Sequence, residues 1–264
     1  MSSGKKPVQR ILVTNDDGAR GEGLRVLEEI AAELSDDVWV VAPEFDQSGV
    51  SHSISLHTPL RVYSMSDRYH CVRGTPADCV LLGVEYLLRD LRPSLILSGV
   101  NRGANLSDAV AYSGTVGAAM TGVLLGIPSI ALSQAFRDPN DVRWETAGQL
   151  APSLILQALR CGWPSEVCLN VNFPDLGVDE VRGVALTRPA RGSIAGVEID
   201  VRTDRRDLPY YWIGFDYNSE LLTAPDSDVE ALRQGYVSVS PLRFETDTRG
   251  DWQALTEALN GCFR

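Results

Sequence analysis

The sequence predicts an α/β protein with a doubly wound, mostly parallel sheet and a C-terminal β-hairpin arm. Short apolar runs of strand length alternate with stretches of helical periodicity as far as about Pro189. Beyond that point the character changes to two β-rich segments, one strongly aromatic, separated by a charged stretch. No Pro/Gly/Ser linker, internal repeat or low-complexity tract interrupts the chain. A single domain over 1–264 is therefore expected, with an α/β core over about 9–190 and the arm plus a closing segment over about 191–264.

Ile11–Thr14 opens as a buried strand, and Leu24, Leu27, Ile30 and Leu34 then mark one face of a helix. Val38–Ala42 is the next strand, stopped by Pro43. Shorter strands near Leu60–Tyr63 and His70–Val72 lead into Gly74-Thr75-Pro76-Ala77-Asp78. There Thr75 suits an N-cap, Pro76 the first helical position, and Asp78 the third residue after the cap, so a helix to about Leu88 follows. Strand Leu95–Ser98, a glycine-rich loop, a small-residue helix over Thr115–Leu125 and strand Ser129–Ser133 come next. Helix Trp144–Leu159 and strand Val167–Val171 complete the alternation. Ile194–Val201 and Tyr210–Ile213 form the hairpin around Thr203–Asp207, and helix Val229–Gln234, strand Tyr236–Ser240 and helix Trp252–Leu259 end the chain.

Composition excludes several classes. At 264 residues, 44% hydrophobic and 22% charged, the chain is ordinary for a globular protein. No apolar stretch follows the basic N-terminal residues as a signal peptide would, and none is long enough to span a membrane. Five widely spaced cysteines without a CxxC fit reduced thiols in the cytoplasm, not a disulfide framework or a zinc site. A net charge of −11 argues against stable complexes with nucleic acid or anionic membranes. An anionic substrate must then be attracted locally, by a cation, helix N-termini or a few arginines.

Asn15-Asp16-Asp17-Gly18 stands at the carboxyl end of the first strand. All four are turn residues, so the segment alone fits a solvated turn as well as a cation site. Two further loops change the balance. Pro43–Ser53 follows the second strand and carries Ser48; Gly99–Asp108 follows strand Leu95–Ser98 and carries Asn101 and Asn105. A doubly wound sheet brings such strand-end loops to one edge. Two carboxylates, a hydroxyl and an amide are hard oxygen donors, suited to Mg²⁺, Mn²⁺ or Ca²⁺ and poorly suited to zinc or copper. The third loop ends in Tyr112-Ser113-Gly114-Thr115-Val116-Gly117, small residues at a helix start, where exposed N–H groups and the helix dipole favour an anion. Ser113 or Thr115 serves equally well there as a plain N-cap.

The stretches ILVTNDDG (11–18), APEFDQSGVSHSISL (42–56), RGTPADCV (73–80), SGVNRGANLSDAVAYSGTVGAAM (98–120) and GYVSVSPL (235–242) resemble, in order, the SurE family of metal-dependent 5′(3′)-nucleotidases. The resemblance implies a Rossmann-like fold, one divalent ion (Mg²⁺ or Mn²⁺), and hydrolysis of nucleoside 5′- and 3′-monophosphates. It also implies a homodimer or homotetramer built through the C-terminal arm. Carried over by position, the metal ligands fall on Asp16, Asp17, Ser48 and Asn101, with Asp16 and Asp17 also catalytic. The residues facing phosphate are Asn105, Ser113, Gly114 and Thr115. Where the family helix usually carries a glutamate this chain has Thr121, and the loop Glu44–Gln47 is idiosyncratic.

The expected chemistry is metal-assisted hydrolysis, with Asp16 or Asp17 orienting or deprotonating the attacking water. A covalent aspartyl-phosphate is the competing route. His52 is a candidate proton donor, and His57 and His70 read as structural or solvated. Tyr210-Tyr211-Trp212 reads as an aromatic face of the arm. A metal- and nucleotide-binding sensor, or a phosphatase for another small ester or polyphosphate, are the other readings, separable by release of inorganic phosphate.

Overall fold

A computed structural model describes residues 6–192, 194–217 and 224–244 of the chain. Its elements are β1 (Ile11–Thr14), α1 (Glu22–Leu34), β2 (Val38–Pro43), β3 (Val62–Ser66), β4 (Tyr69–Val72), α2 (Pro76–Leu82), β5 (Leu95–Arg102), α3 (Gly114–Leu124), β6 (Ser129–Gln134), α4 (Trp144–Cys161), β7 (Cys168–Phe173), β8 (Val184–Leu186), β9 (Ile194–Thr203), β10 (Pro209–Tyr217), α5 (Asp228–Arg233) and β11 (Val237–Leu242). The helix expected over Trp252–Leu259 lies outside the described residues.

One sheet runs in the order β3-β4-β2-β1-β5-β6-β7-β11-β8. From β4 to β7 all neighbours are parallel, while β3 and β11 run antiparallel to β4 and β7. The mostly parallel, doubly wound α/β fold is therefore as the sequence predicts. β1 explains why its apolar run is unbroken: Ile11 and Val13 pack into the core beneath α1 and α4, whereas Leu12 packs into the opposite core with residues of α2 and α3. Successive side chains leave opposite faces, and both faces are covered. The chain winds one way from β1 to β2 and the other way from β1 to β5, so the switch point lies between β1 and β5, where strand-end loops form a crevice.

The predicted cap of α2 is present as a reciprocal pair. Asp78 N–H donates to Thr75 Oγ1 at 3.1 Å and Thr75 N–H donates to Asp78 Oδ2 at 3.0 Å. The helix then continues through a wider turn at Gly83–Leu87. α3 is buried from Gly114 to Val123, which its small residues permit. At Gly117 a Cβ would stand 2.3 Å from the carbonyl oxygen of Ser51, so only glycine lets the second loop lie against this helix.

β9 and β10 form a separate antiparallel ribbon, longer than the periodicity suggested. After it, α5 and β11 return to the main sheet, and β11 inserts between β7 and the short strand β8. Asp228, fully buried at the start of α5, ties this return to the site-bearing loop: Oδ2 accepts Ser107 N–H at 2.8 Å and Oδ1 accepts Ala190 N–H at 2.9 Å. Among the described residues no helix is long and apolar enough to cross a membrane.

Candidate metal and phosphate site

The loops after β1 and β2 meet the carboxyl end of β5, which runs on through Asn101 and Arg102, and the loop beyond it at the switch point. Asp16, Ser48, Asn101, Asn105 and Ser113 line one cavity of about 330 Å³ with Arg102, Tyr112 and Phe215. Asp17 faces an adjoining cleft of about 420 Å³ that shares Arg102 and also contains Asp46.

Asp16 is the buried member of the carboxylate pair, 4% exposed. Its backbone oxygen accepts Gln47 N–H at 2.8 Å, which joins the first loop to the second. Its Oδ1 accepts the Thr115 hydroxyl at 2.5 Å, and the Thr115 amide is directed at the same carboxylate. Burial nonetheless pushes its pKa up to about 7, with the charge of Asp17 adding to the rise. At Gly114 a Cβ would meet Asp16 Cβ at 2.9 Å and Oδ2 at 3.0 Å, so glycine is needed for this close approach. Asp17 is less buried and its pKa is also raised, chiefly by burial; its Oδ2 accepts the Arg102 backbone N–H at 3.1 Å.

The neutral donors are positioned as firmly. Ser48 N–H donates to Asp46 Oδ1 at 2.8 Å. Asn101 commits Nδ2 to the Gly103 carbonyl at 2.9 Å, which leaves its amide oxygen as the atom able to meet a cation. Asn105 is held from three sides: its N–H donates to Asn172 Oδ1, its Nδ2 to Ser133 Oγ, and its carbonyl accepts Asn170 Nδ2. Ser113 caps α3 by accepting Val116 N–H at 3.1 Å.

A divalent cation suits this arrangement. Burial raises the pKa of Asp16 and, to a lesser degree, that of its half-buried neighbour Asp17, and a cation would relieve the cost of holding the two charges together. Among the described residues no three His, Cys, Asp or Glu side chains gather at metal-ligating positions, and the oxygens gathered here beside the carboxylates are neutral ones, of the kind hard cations accept.

Two candidate side chains stand apart from this cavity lining. The Thr115 side chain is fully buried and its hydroxyl donates to Asp16, so only its backbone is left to meet a phosphate. His52 does not line the cavity either; its ring packs 5.3 Å from that of Phe244, and burial lowers its pKa. His70 is structural, held by Ser64 Oγ at 3.0 Å and stacked on Trp39. Thr121, at the position of the family's usual glutamate, turns its hydroxyl back to the Gly117 carbonyl at 2.7 Å and stays in the helix packing.

Residues 11–195 match the family model described as survival protein SurE. The chain belongs to the SurE family. This SurE-family chain is 52% identical over 241 residues to a Burkholderia lata protein named 5′-nucleotidase SurE 1, covering 89% of this chain and 91% of that one. It is also 52% identical to the 5′-nucleotidase SurE of Brucella anthropi, covering 95% and 97% of the two chains. The crystal structure of the SurE protein from Aquifex aeolicus superposes with a TM-score of 0.78 at 34% identity, covering 94% of this chain and 97% of that chain.

Arg102, the one cation in the stretch Gly99–Asp108, stands at the end of β5 and is a functional residue that no motif in the sequence singles out. Its amide fixes Asp17 and its side chain, over the Phe136 ring, borders both cavities.

Proposed function

We propose that this protein is a divalent-metal-dependent phosphomonoesterase that hydrolyses nucleoside 5′-monophosphates, and 3′-monophosphates as well, to nucleoside and phosphate. The observation that carries this reading is the carboxylate pair at the switch point, lodged beside neutral oxygens and a helix N-terminus. The names of its relatives agree with it.

In this reading Asp16, Asp17, Ser48 and Asn101 hold one Mg²⁺ or Mn²⁺. When bound, that ion neutralises charge on the phosphoryl group and acidifies water. Thr115 keeps Asp16 in place, as the Arg102 amide keeps Asp17. Asp17, the more accessible carboxylate, orients the attacking water. Ser113 and Gly114, at the start of α3, and the pinned Asn105 supply the donors that meet developing charge on the equatorial oxygens. Because net charge opposes an anionic substrate, capture is by contact within this cavity.

The arm supports assembly as a homodimer or homotetramer. Val197, Ile199 and Val201 on one strand and Tyr211, Trp212 and Ile213 on the other are exposed, a surface that commonly marks an interface. Unpaired Cys71, Cys79, Cys161 and Cys168 support a cytoplasmic setting.

A panel of 5′- and 3′-nucleoside monophosphates, sugar phosphates and polyphosphate, each with Mg²⁺ or Mn²⁺, tests the reading by release of inorganic phosphate. Turnover confined to polyphosphate, or binding of nucleotides without release, contradicts it.

A further inference from the structure

We propose that the nucleobase docks in the cleft beside the first two loops, stacked on Phe45 and Tyr63, so that Phe45 of the loop Glu44–Gln47 is a specificity-determining residue; this rests on the nucleotidase reading above. The cleft, of about 760 Å³, is lined by Ala19, Arg20, Glu44, Phe45, Tyr63 and Tyr69 among others, a size within the roughly 300–1,000 Å³ usual for small-ligand sites. It begins where the carboxylate site ends. Asp17 and Asp46 face the cleft of about 420 Å³, whereas Ala19 and Phe45 face the aromatic one. Phe45 and Asp46 are consecutive, with Cα atoms about 3.8 Å apart, and Asp17 and Ala19 are two residues apart, at most about 7 Å. Gly18 makes the ridge between the clefts thin: at its φ of +91° a Cβ would stand 3.0 Å from the Phe45 carbonyl carbon, so glycine lets the two loops close on each other. A nucleotide with its phosphate at the carboxylate pair crosses this ridge with its sugar and lays its base on the far side.

The lining explains why a base fills this cleft. Phe45 is 62% exposed and Tyr63 43%, and among the described residues neither ring meets another ring or a guanidinium. Tyr69 is committed elsewhere, its hydroxyl donating to the Ala19 carbonyl at 2.6 Å. Arg20 and Glu44 add donors and an acceptor to the same lining, and neither enters an ion pair among the described residues. A flat ring with a polar edge suits that combination, whereas an apolar patch from a second copy would bury both charges unpaired. The aromatic residues nearer the carboxylates are occupied: Tyr112 and Phe215 pack on each other at 5.1 Å, and the Trp144 ring lies against Gly23 of α1. Stacking uses a face that every base possesses, so recognition through Phe45 and Tyr63 tolerates changes of base.

The test compares adenosine 5′-monophosphate with ribose 5-phosphate, which lacks the base, for wild type, Phe45→Ala, Phe45→Leu, Tyr63→Ala and Tyr63→Phe. Removing a base-stacking ring is expected to raise KM for the nucleotide about tenfold, with kcat little changed. Constants for ribose 5-phosphate should stay close to wild type, which also shows that the variants fold. Phe45→Leu keeps apolar bulk without a π face and should behave like Phe45→Ala; Tyr63→Phe should behave like wild type. Adenosine affinity, measured by calorimetry in the presence of EDTA, should fall in parallel. Equal losses on both substrates, or loss of nucleotide preference in Tyr112→Ala and not in Phe45→Ala, overturn the proposal. So does a smaller species by light scattering in Phe45→Ala, which would make the cleft an interface between copies. If wild type hydrolyses no nucleoside monophosphate, the nucleotidase reading falls and this one with it. If it does, and the Phe45 and Tyr63 variants keep wild-type preference, only the base site falls.

Discussion

The hydroxyl of Thr115 donates to Oδ1 of Asp16 across 2.5 Å, joining the start of α3 to the carboxyl end of β1. Both partners are buried, and the hydroxyl stabilises the ionised carboxylate against the cost of its burial. Thr115→Val keeps the shape and removes the donor. Groups that orient a metal ligand commonly contribute about 10–100-fold to metal affinity or activity. A loss of that size in Mn²⁺ affinity by calorimetry, and in kcat/KM, is expected; affinity equal to wild type would show that Asp16 needs no such support.

Gly117→Ala tests how the second loop is seated. The added Cβ meets the Ser51 carbonyl oxygen at 2.3 Å and carbon at 2.7 Å, and backbone cannot yield as a flexible side chain can. Destabilisation of about 1–3 kcal/mol is expected in urea unfolding, together with weaker metal binding as Ser48 shifts. Unchanged stability and affinity would mean that the loop packs elsewhere.

These two contacts mark what the sequence disclosed and what it hid. The convergence of Asp16, Ser48 and Asn101 on one cavity, with Asp17 beside it, was legible because strand-end loops of a doubly wound sheet share an edge, and the Thr75–Asp78 cap because its signal is local. The partner of Thr115 was not, since a cap position and a carboxylate support use the same small residues. The Arg102 amide on Asp17 was invisible for another reason: backbone donors leave no trace in residue identity. Phe215 beside Tyr112 depends on how the arm folds back, which no periodicity encodes. β8, three residues long, is too short to show a period, and β11 could be read as a strand without revealing its antiparallel place beside β7.

His52 is expected to set a pH dependence of stability. Its Nε2 is buried with no hydrogen-bond partner among the described residues, and burial holds its pKa below the ordinary 6.5. The unfolded chain accepts a proton more readily than the folded one. This group's contribution is therefore full above about pH 6.5 and is lost as pH falls through the lower folded value. Between about pH 7.5 and about pH 5.5, wild type should lose more unfolding free energy than His52→Gln. Equal losses would contradict the assignment, and a large fall in kcat for His52→Gln at neutral pH would restore His52 as a proton donor.

Assembly through the arm predicts that deleting 195–212 yields a smaller species by light scattering. An unchanged oligomer would remove the arm from the interface.

The central claim is that the strand-end loops hold a divalent ion for phosphomonoester hydrolysis, and inorganic phosphate release from a nucleoside 5′-monophosphate tests it most directly. Protein treated with EDTA and dialysed should release none, and added Mg²⁺ or Mn²⁺ should restore turnover in wild type. In Asp17→Asn, with the fold intact by circular dichroism, the same addition should restore at most a small fraction. Full phosphate release by the chelated, metal-free protein, or by Asp17→Asn, would contradict the account.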